Sequence, residues 1–178
     1  TGLSGTELEV QTTGSFYQNP VGGASPSVIT GILLGFVPDL AYDSWVTIGL
    51  DEKAVSSNGE EDVATVAGVS PSWTVAFENG NDILINDGTG GGWYVLNSAS
   101  NGVSGDDQRV LLGQFTTDGE LSGSMRIQVF PNGDLDADLR YVAEFSQPDC
   151  GCTDPAALNA GDATYDDGTC QYAGCTDL

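Results

Sequence analysis

A chain of 178 residues with 26 acidic and 4 basic side chains carries a formal charge of −22, which excludes nucleic acid and anionic membrane surfaces as partners, since both require a basic face. The length suits one medium domain plus a small appendage. The lack of any histidine removes the commonest general base and, with it, Ser-His-Asp and Cys-His machinery.

The chain starts at Thr1 instead of Met, which fits a processed or excerpted secreted chain, and it holds no Asn-x-Ser/Thr sequon. Short apolar runs separated by turn signals, with 25 glycines, read as mainly β. Glu7–Thr12 alternates polar and apolar residues as a half-buried strand does. One short helix follows: Ser25 can cap it, Pro26 suits its first turn and Pro38 ends it. Val28, Ile29, Ile32, Leu33 and Phe36 then share one face. Gly31 and Gly35 weaken the helix, so close packing on a sheet is expected of them. The longest apolar stretch, Val28–Val37, falls far short of the roughly 20 residues of a membrane span, so no membrane insertion is expected.

Trp45–Leu50, Asp82–Asn86 and Trp93–Leu96 read as strands buried on both faces, and 51–72 reads as a long exposed loop. Arg109–Thr117 and Leu121–Phe130 form a hairpin across the Asp118-Gly119 turn. Pro131–Asp134 then turns the chain into Leu139–Phe145, completing a three-stranded antiparallel meander. On a strand, Asp134, Asp136 and Asp138 would line one face, where edge protection explains them more cheaply than metal binding. The expected fold is an antiparallel β-sandwich, jelly-roll or Ig-like, over residues 1–146. A linker at 147–149 and a loop-rich, disulfide-stapled module over 150–178 complete it.

All four cysteines lie in that module, where Gly151-Cys152-Thr153-Asp154 returns as Gly174-Cys175-Thr176-Asp177. A sequence ending inside a second motif copy suggests a piece of a longer tandem array, or a subunit completed elsewhere. So short a segment cannot bury a core of its own, and disulfides imply an oxidising, extracellular location. Cys150 and Cys152 are too close to bridge easily, so each is expected to reach Cys170 or Cys175. Cys152–Cys170, leaving Cys150–Cys175, is favoured because it closes one motif copy. A zinc site has little support without histidine and with so tight a Cys-x-Cys spacing.

Asp154, Asn159, Asp162, Asp166 and Asp167, followed by Gly168, are oxygen donors at short intervals, the kind of set that Ca²⁺ takes. The competing reading is that Asp154, Asn159 and Asp166 cap turns through side-chain to backbone bonds, and the EF-hand register is missing. The Gly90-Gly91-Gly92 cluster leads into a strand, whereas a phosphate cradle opens a helix. Trp45, Trp73 and Trp93, with Phe16, Tyr17 and Tyr94, are the side chains that could stack sugars, but core packing is the default for such aromatics. Carboxylate-only glycosidase chemistry has no specific support, and Lys53 in a loop is weak evidence for an isopeptide.

The tail, Gly-Cys-Thr-Asp-Pro-Ala-Ala-Leu-Asn followed by Ala-Thr-Tyr-Asp-Asp-Gly-Thr-Cys-Gln-Tyr, resembles a cysteine-rich repeat of the form GCTDPxAxNYxxxAxxDDGSC. Such repeats occur in very large secreted and cell-surface proteins of aquatic bacteria and microalgae. The body resembles the larger unit that often accompanies them, through Phe16–Asn19, Tyr42–Gly49, Gly91–Leu96 and Leu111–Gly119. The resemblance implies an extracellular, multi-copy structural or adhesive module and no catalytic activity. Two departures stand out. Ala160 replaces the usual aromatic, so the module's small core would be looser or completed by Tyr165 or Tyr172, and the body looks short at its start. The resulting expectation is a non-enzymatic extracellular subunit that associates with copies of itself into a filament or surface array, with the Cys-rich tail as connector. The alternative is a carbohydrate-binding or adhesin module that recognises glycans, with calcium as a candidate cofactor.

Overall fold

The computed structural model describes residues 8–68, 72–86, 90–146, 150–161, 163, 165–166 and 168–172. The chain divides into two units, Thr1–Phe145 and Ser146–Leu178.

The body is built mainly of strands. β1 (Leu8–Thr12), β4 (Ile83–Ile85), β7 (Leu121–Val129) and β8 (Leu139–Ser146) form a four-stranded sheet in the order β4-β1-β7-β8. β1 is antiparallel to both neighbours, with Val10 opposite Ile83 on one side and Gly123 on the other. Period-2 alternation places Leu8, Val10, Ile83, Ile85 and Met125 in the core. Two further antiparallel ladders join β2 (Trp45–Val46) to β6 (Gly113–Gln114) and β3 (Ala64–Val66) to β5 (Gly92–Tyr94).

Against the sheet sits α2 (Trp73–Glu78), a helix that the chain reading missed. Ser72 caps it, its hydroxyl accepting from the Thr74 amide at 3.3 Å. Trp73 and Phe77, one turn apart, are its buried face. Phe77 meets Phe16 edge-on at 5.5 Å and Phe115 at 6.1 Å, and Trp73 packs on Trp93 at 5.8 Å. A second, smaller cluster gathers Ile29, Leu40 and Trp45, with Leu33, Leu34 and Val37 packed around it.

Several expectations are corrected. The single helix over 26–37 is two pieces, a 3₁₀ turn at Pro26–Val28 and α1 at Gly31–Phe36, parted by extended Ile29 and Thr30. Thr30, not Ser25, caps α1, its hydroxyl accepting from the Leu33 amide at 3.2 Å. The break rotates the anticipated apolar face apart: Ile29 is buried, whereas Ile32 and Phe36 are 78% and 82% exposed. Gly31 and Gly35 do not pack on a sheet, because a Cβ at either would meet nothing within 4 Å.

The hairpin between Arg109–Thr117 and Leu121–Phe130 does not form. β7 pairs with β1, and β6 turns away to β2. The Thr117–Glu120 turn is clasped to the Thr12–Ser15 turn instead. Thr12 and Thr117 hydroxyls meet at 2.6 Å, Asp118 accepts from the Ser15 amide at 2.9 Å, and Thr13 accepts from the Glu120 amide at 2.9 Å. Those side-chain bonds satisfy the turn and let its two arms diverge. Within 51–72, Ala64–Val66 forms a strand; all three residues are exposed, so no burial pattern marks it.

Candidate functional site

The Ser146–Leu178 unit holds the anticipated site. β9 (Cys150–Gly151) runs parallel to β10 (Tyr165–Asp166), with Cys150 opposite Tyr165. A disulfide joins Cys152 to Cys170, and Cys152 is buried. Cys175, the proposed partner of Cys150, lies outside the described residues, as do Asp162 and Asp167.

The remaining candidate ligands are held in turns. Asp154 accepts from the Ala156 amide at 2.8 Å through one oxygen and from the Tyr172 hydroxyl at 2.7 Å through the other. The Tyr172 bond, then the Ala156 amide, holds the Asp154 carboxyl below its ordinary value, and the same carboxylate raises the Tyr172 phenol. Asn159 clasps the chain on both sides, accepting from the Gln171 amide at 2.7 Å and donating to the Thr169 carbonyl at 2.9 Å. Asp166 accepts from the Gly168 amide at 3.0 Å, an Asx turn into a glycine with φ +77°. Among the described residues, no group of three His, Cys, Asp or Glu side chains converges as a metal site. Tyr172 is exposed and Leu158 more so; Tyr172 therefore contributes a surface hydrogen bond, not a core filling for Ala160.

The other acidic stripe lies off the strand on which it was expected. Asp134, Asp136 and Asp138 occupy the turn before β8, where Asp134 accepts from the Asp136 amide at 2.9 Å. Asp138 pairs with Arg140 at 2.7 Å and accepts from Gln128 at 2.9 Å. The Arg140 bond leads the causes that lower its carboxyl.

In the body, Asp43 is wholly buried. Its two oxygens accept the amides of Asn19 at 2.7 Å and Gly23 at 3.3 Å, while Glu78 accepts from the Ala24 amide at 3.1 Å. Burial raises the Asp43 carboxyl above its ordinary value, and the amides of Asn19 and Gly23 oppose that rise. A Cβ at Gly22 would collide with this carboxylate. The arrangement staples loop 19–24; with every contact internal, it presents nothing to a substrate.

The tryptophans are core. Trp73 donates to the Val66 carbonyl at 2.8 Å and Trp93 to that of Thr47 at 3.1 Å. Trp45 is buried, and its ring N–H has no hydrogen-bond partner among the described residues. An open cavity of 290 Å³ borders Gly49, Glu60, Asn101, Arg109 and Leu111. Glu60 there is engaged by the Val55 amide at 2.7 Å and by Asn58 at 3.2 Å.

β8 ends the sheet, and its far edge faces no strand among the described residues. Along it Leu139, Tyr141 and Val142 are exposed; Tyr141 and Val142 are consecutive, so apolar side chains stand out on both faces. No helix of the described residues is long and apolar enough to cross a membrane. No protein family, no curated protein and no solved structure matches this chain.

Proposed function

We propose that the chain is a non-enzymatic, extracellular structural subunit that associates with copies of itself, its body a β-sandwich and its Cys-rich tail a connector between bodies. The second sandwich layer would be α2 with the two short ladders, packed over the core face of the four-stranded sheet. The observation that carries the reading is β8. A long edge strand that meets no outer partner strand among the described residues, with exposed Leu139, Tyr141 and Val142, is a template for another strand. Antiparallel pairing of two β8 strands about a two-fold axis satisfies both edges at once. The disulfide supports an oxidising location, and the resemblance of the tail to secreted cysteine-rich repeats supports multi-copy architecture.

Calcium belongs to the same proposal. An ion at Asp154, Asn159, Asp162, Asp166 and Asp167 would displace the Tyr172 hydroxyl and stiffen the connector. Sedimentation velocity over a range of concentrations, with calcium or with EDTA, tests the whole. Association that Val142→Lys abolishes supports it, and a strictly monomeric wild-type chain overturns it.

A further inference from the structure

One two-fold contact closes at a dimer; a filament needs a second, different contact on the same subunit. Resting on the self-association just proposed, we propose that the outer face of α1 is that second contact and that it binds α1 of another copy, antiparallel.

Three observations select this face and this occupant. First, α1 lies in the longest uncharged stretch of the chain, residues 10–38, in a protein of net charge −22. In so acidic a protein an uncharged face is one where copies can meet without like-charge repulsion. Second, the face is self-complementary. Ile32 and Phe36 stand out as a ridge, 78% and 82% exposed, with Gly31 and Gly35 forming an open strip beside them. The ridge of one helix fits the strip of the other, and the reverse holds by symmetry. Third, each rim offers one member of a candidate ion pair: Lys53, which follows exposed Asp51 and Glu52 in sequence, and Asp39. The Lys53 amide donates to the Ile29 carbonyl at 2.9 Å, fixing this exposed lysine at the N-terminal end of α1. Exposed Asp39 follows its C-terminal end. Lys53 has no ion pair among the described residues. Antiparallel docking brings Lys53 of each copy to Asp39 of the other.

A charge swap tests this on the full chain, read by sedimentation velocity and negative-stain microscopy. Lys53→Asp should stop assembly at dimers, as should Phe36→Asp, and the double variant Lys53→Asp with Asp39→Lys should restore filaments. All these side chains are exposed, and unchanged circular dichroism and melting temperature verify the fold. Filaments that survive Phe36→Asp, or a swap that restores nothing, overturn the α1 contact while leaving the β8 contact standing. A wild-type chain that stays monomeric overturns both.

Discussion

The phenol of Tyr172 donates to Asp154 at 2.7 Å, linking the residues that lie two positions after each cysteine of the Cys152–Cys170 disulfide. The bond lowers the Asp154 carboxyl from its ordinary 3.8 and raises the Tyr172 phenol from its ordinary 10.0. The fold therefore favours the carboxylate beside the neutral phenol. Stability from the carboxylate is present above 3.8 and lost as pH falls through its lowered folded value. Stability from the phenol is present below 10.0 and lost as pH rises through its raised folded value. Tyr172→Phe should flatten both limbs. Amide hydrogen exchange in 150–172 as a function of pH checks this; an unchanged profile contradicts it.

Reduction of the disulfide should loosen the small unit alone. Its 18-residue separation corresponds to about 3 kcal/mol of unfolded-chain restriction. Cys152→Ser with Cys170→Ser should open 150–172 to protease while the amides of Val10 and Phe77 keep their protection. Equal loosening of the body would contradict the division into two units.

Asp43→Ala leaves the Asn19 and Gly23 amides without their acceptor, at about 1–3 kcal/mol each, so chemical denaturation should show a markedly lower midpoint. Because burial raises the Asp43 pKa above 3.8, its contribution is greatest below that value and falls as pH rises through the folded pKa. Asp43→Asn should remove that slope. Gly22→Ala, which drives a Cβ into the same carboxylate, should also lower the midpoint.

Phe77 is fully buried between Phe16 and Phe115. Phe77→Ala should cost about 3–5 kcal/mol, measured by urea unfolding. A cost below about 1 kcal/mol would mean that the α2 side of the core is not packed as described.

Much of the strand content was legible. Leu8–Thr12, Leu121–Val129 and Leu139–Ser146 lie where alternation and turn residues put them, and Ile83–Ile85 lies within Asp82–Asn86, although exposed Leu84 leaves open a face that was expected to be buried. Pairing was not, because Thr12, Thr13, Thr117 and Asp118 tie two turns together through side chains separated by more than 100 positions. Helix patterning failed where it was stretched across Ile29 and Thr30: a face drawn through a break is not a face. It could have succeeded at Trp73 and Phe77, whose spacing after Ser72 is a legible signal. The Cys152–Cys170 bond follows from the motif copy. The turn roles of Asp154, Asn159 and Asp166 were one of two open readings, since the same oxygens serve an amide or a cation. The staple at Asp43 was invisible, because nothing local marks which of 26 acids goes inside.

Trp45 gives the protein a built-in optical reporter. Its indole lies in the small cluster with Ile29 and Leu40, where Leu33, Leu34 and Val37 of the α1 region pack, and its N–H meets no acceptor among the described residues. Trp73 and Trp93 both donate to carbonyls. An indole in an apolar cage without a hydrogen bond emits further to the blue than its bonded siblings. A change in that blue component would register events at α1 with no label attached.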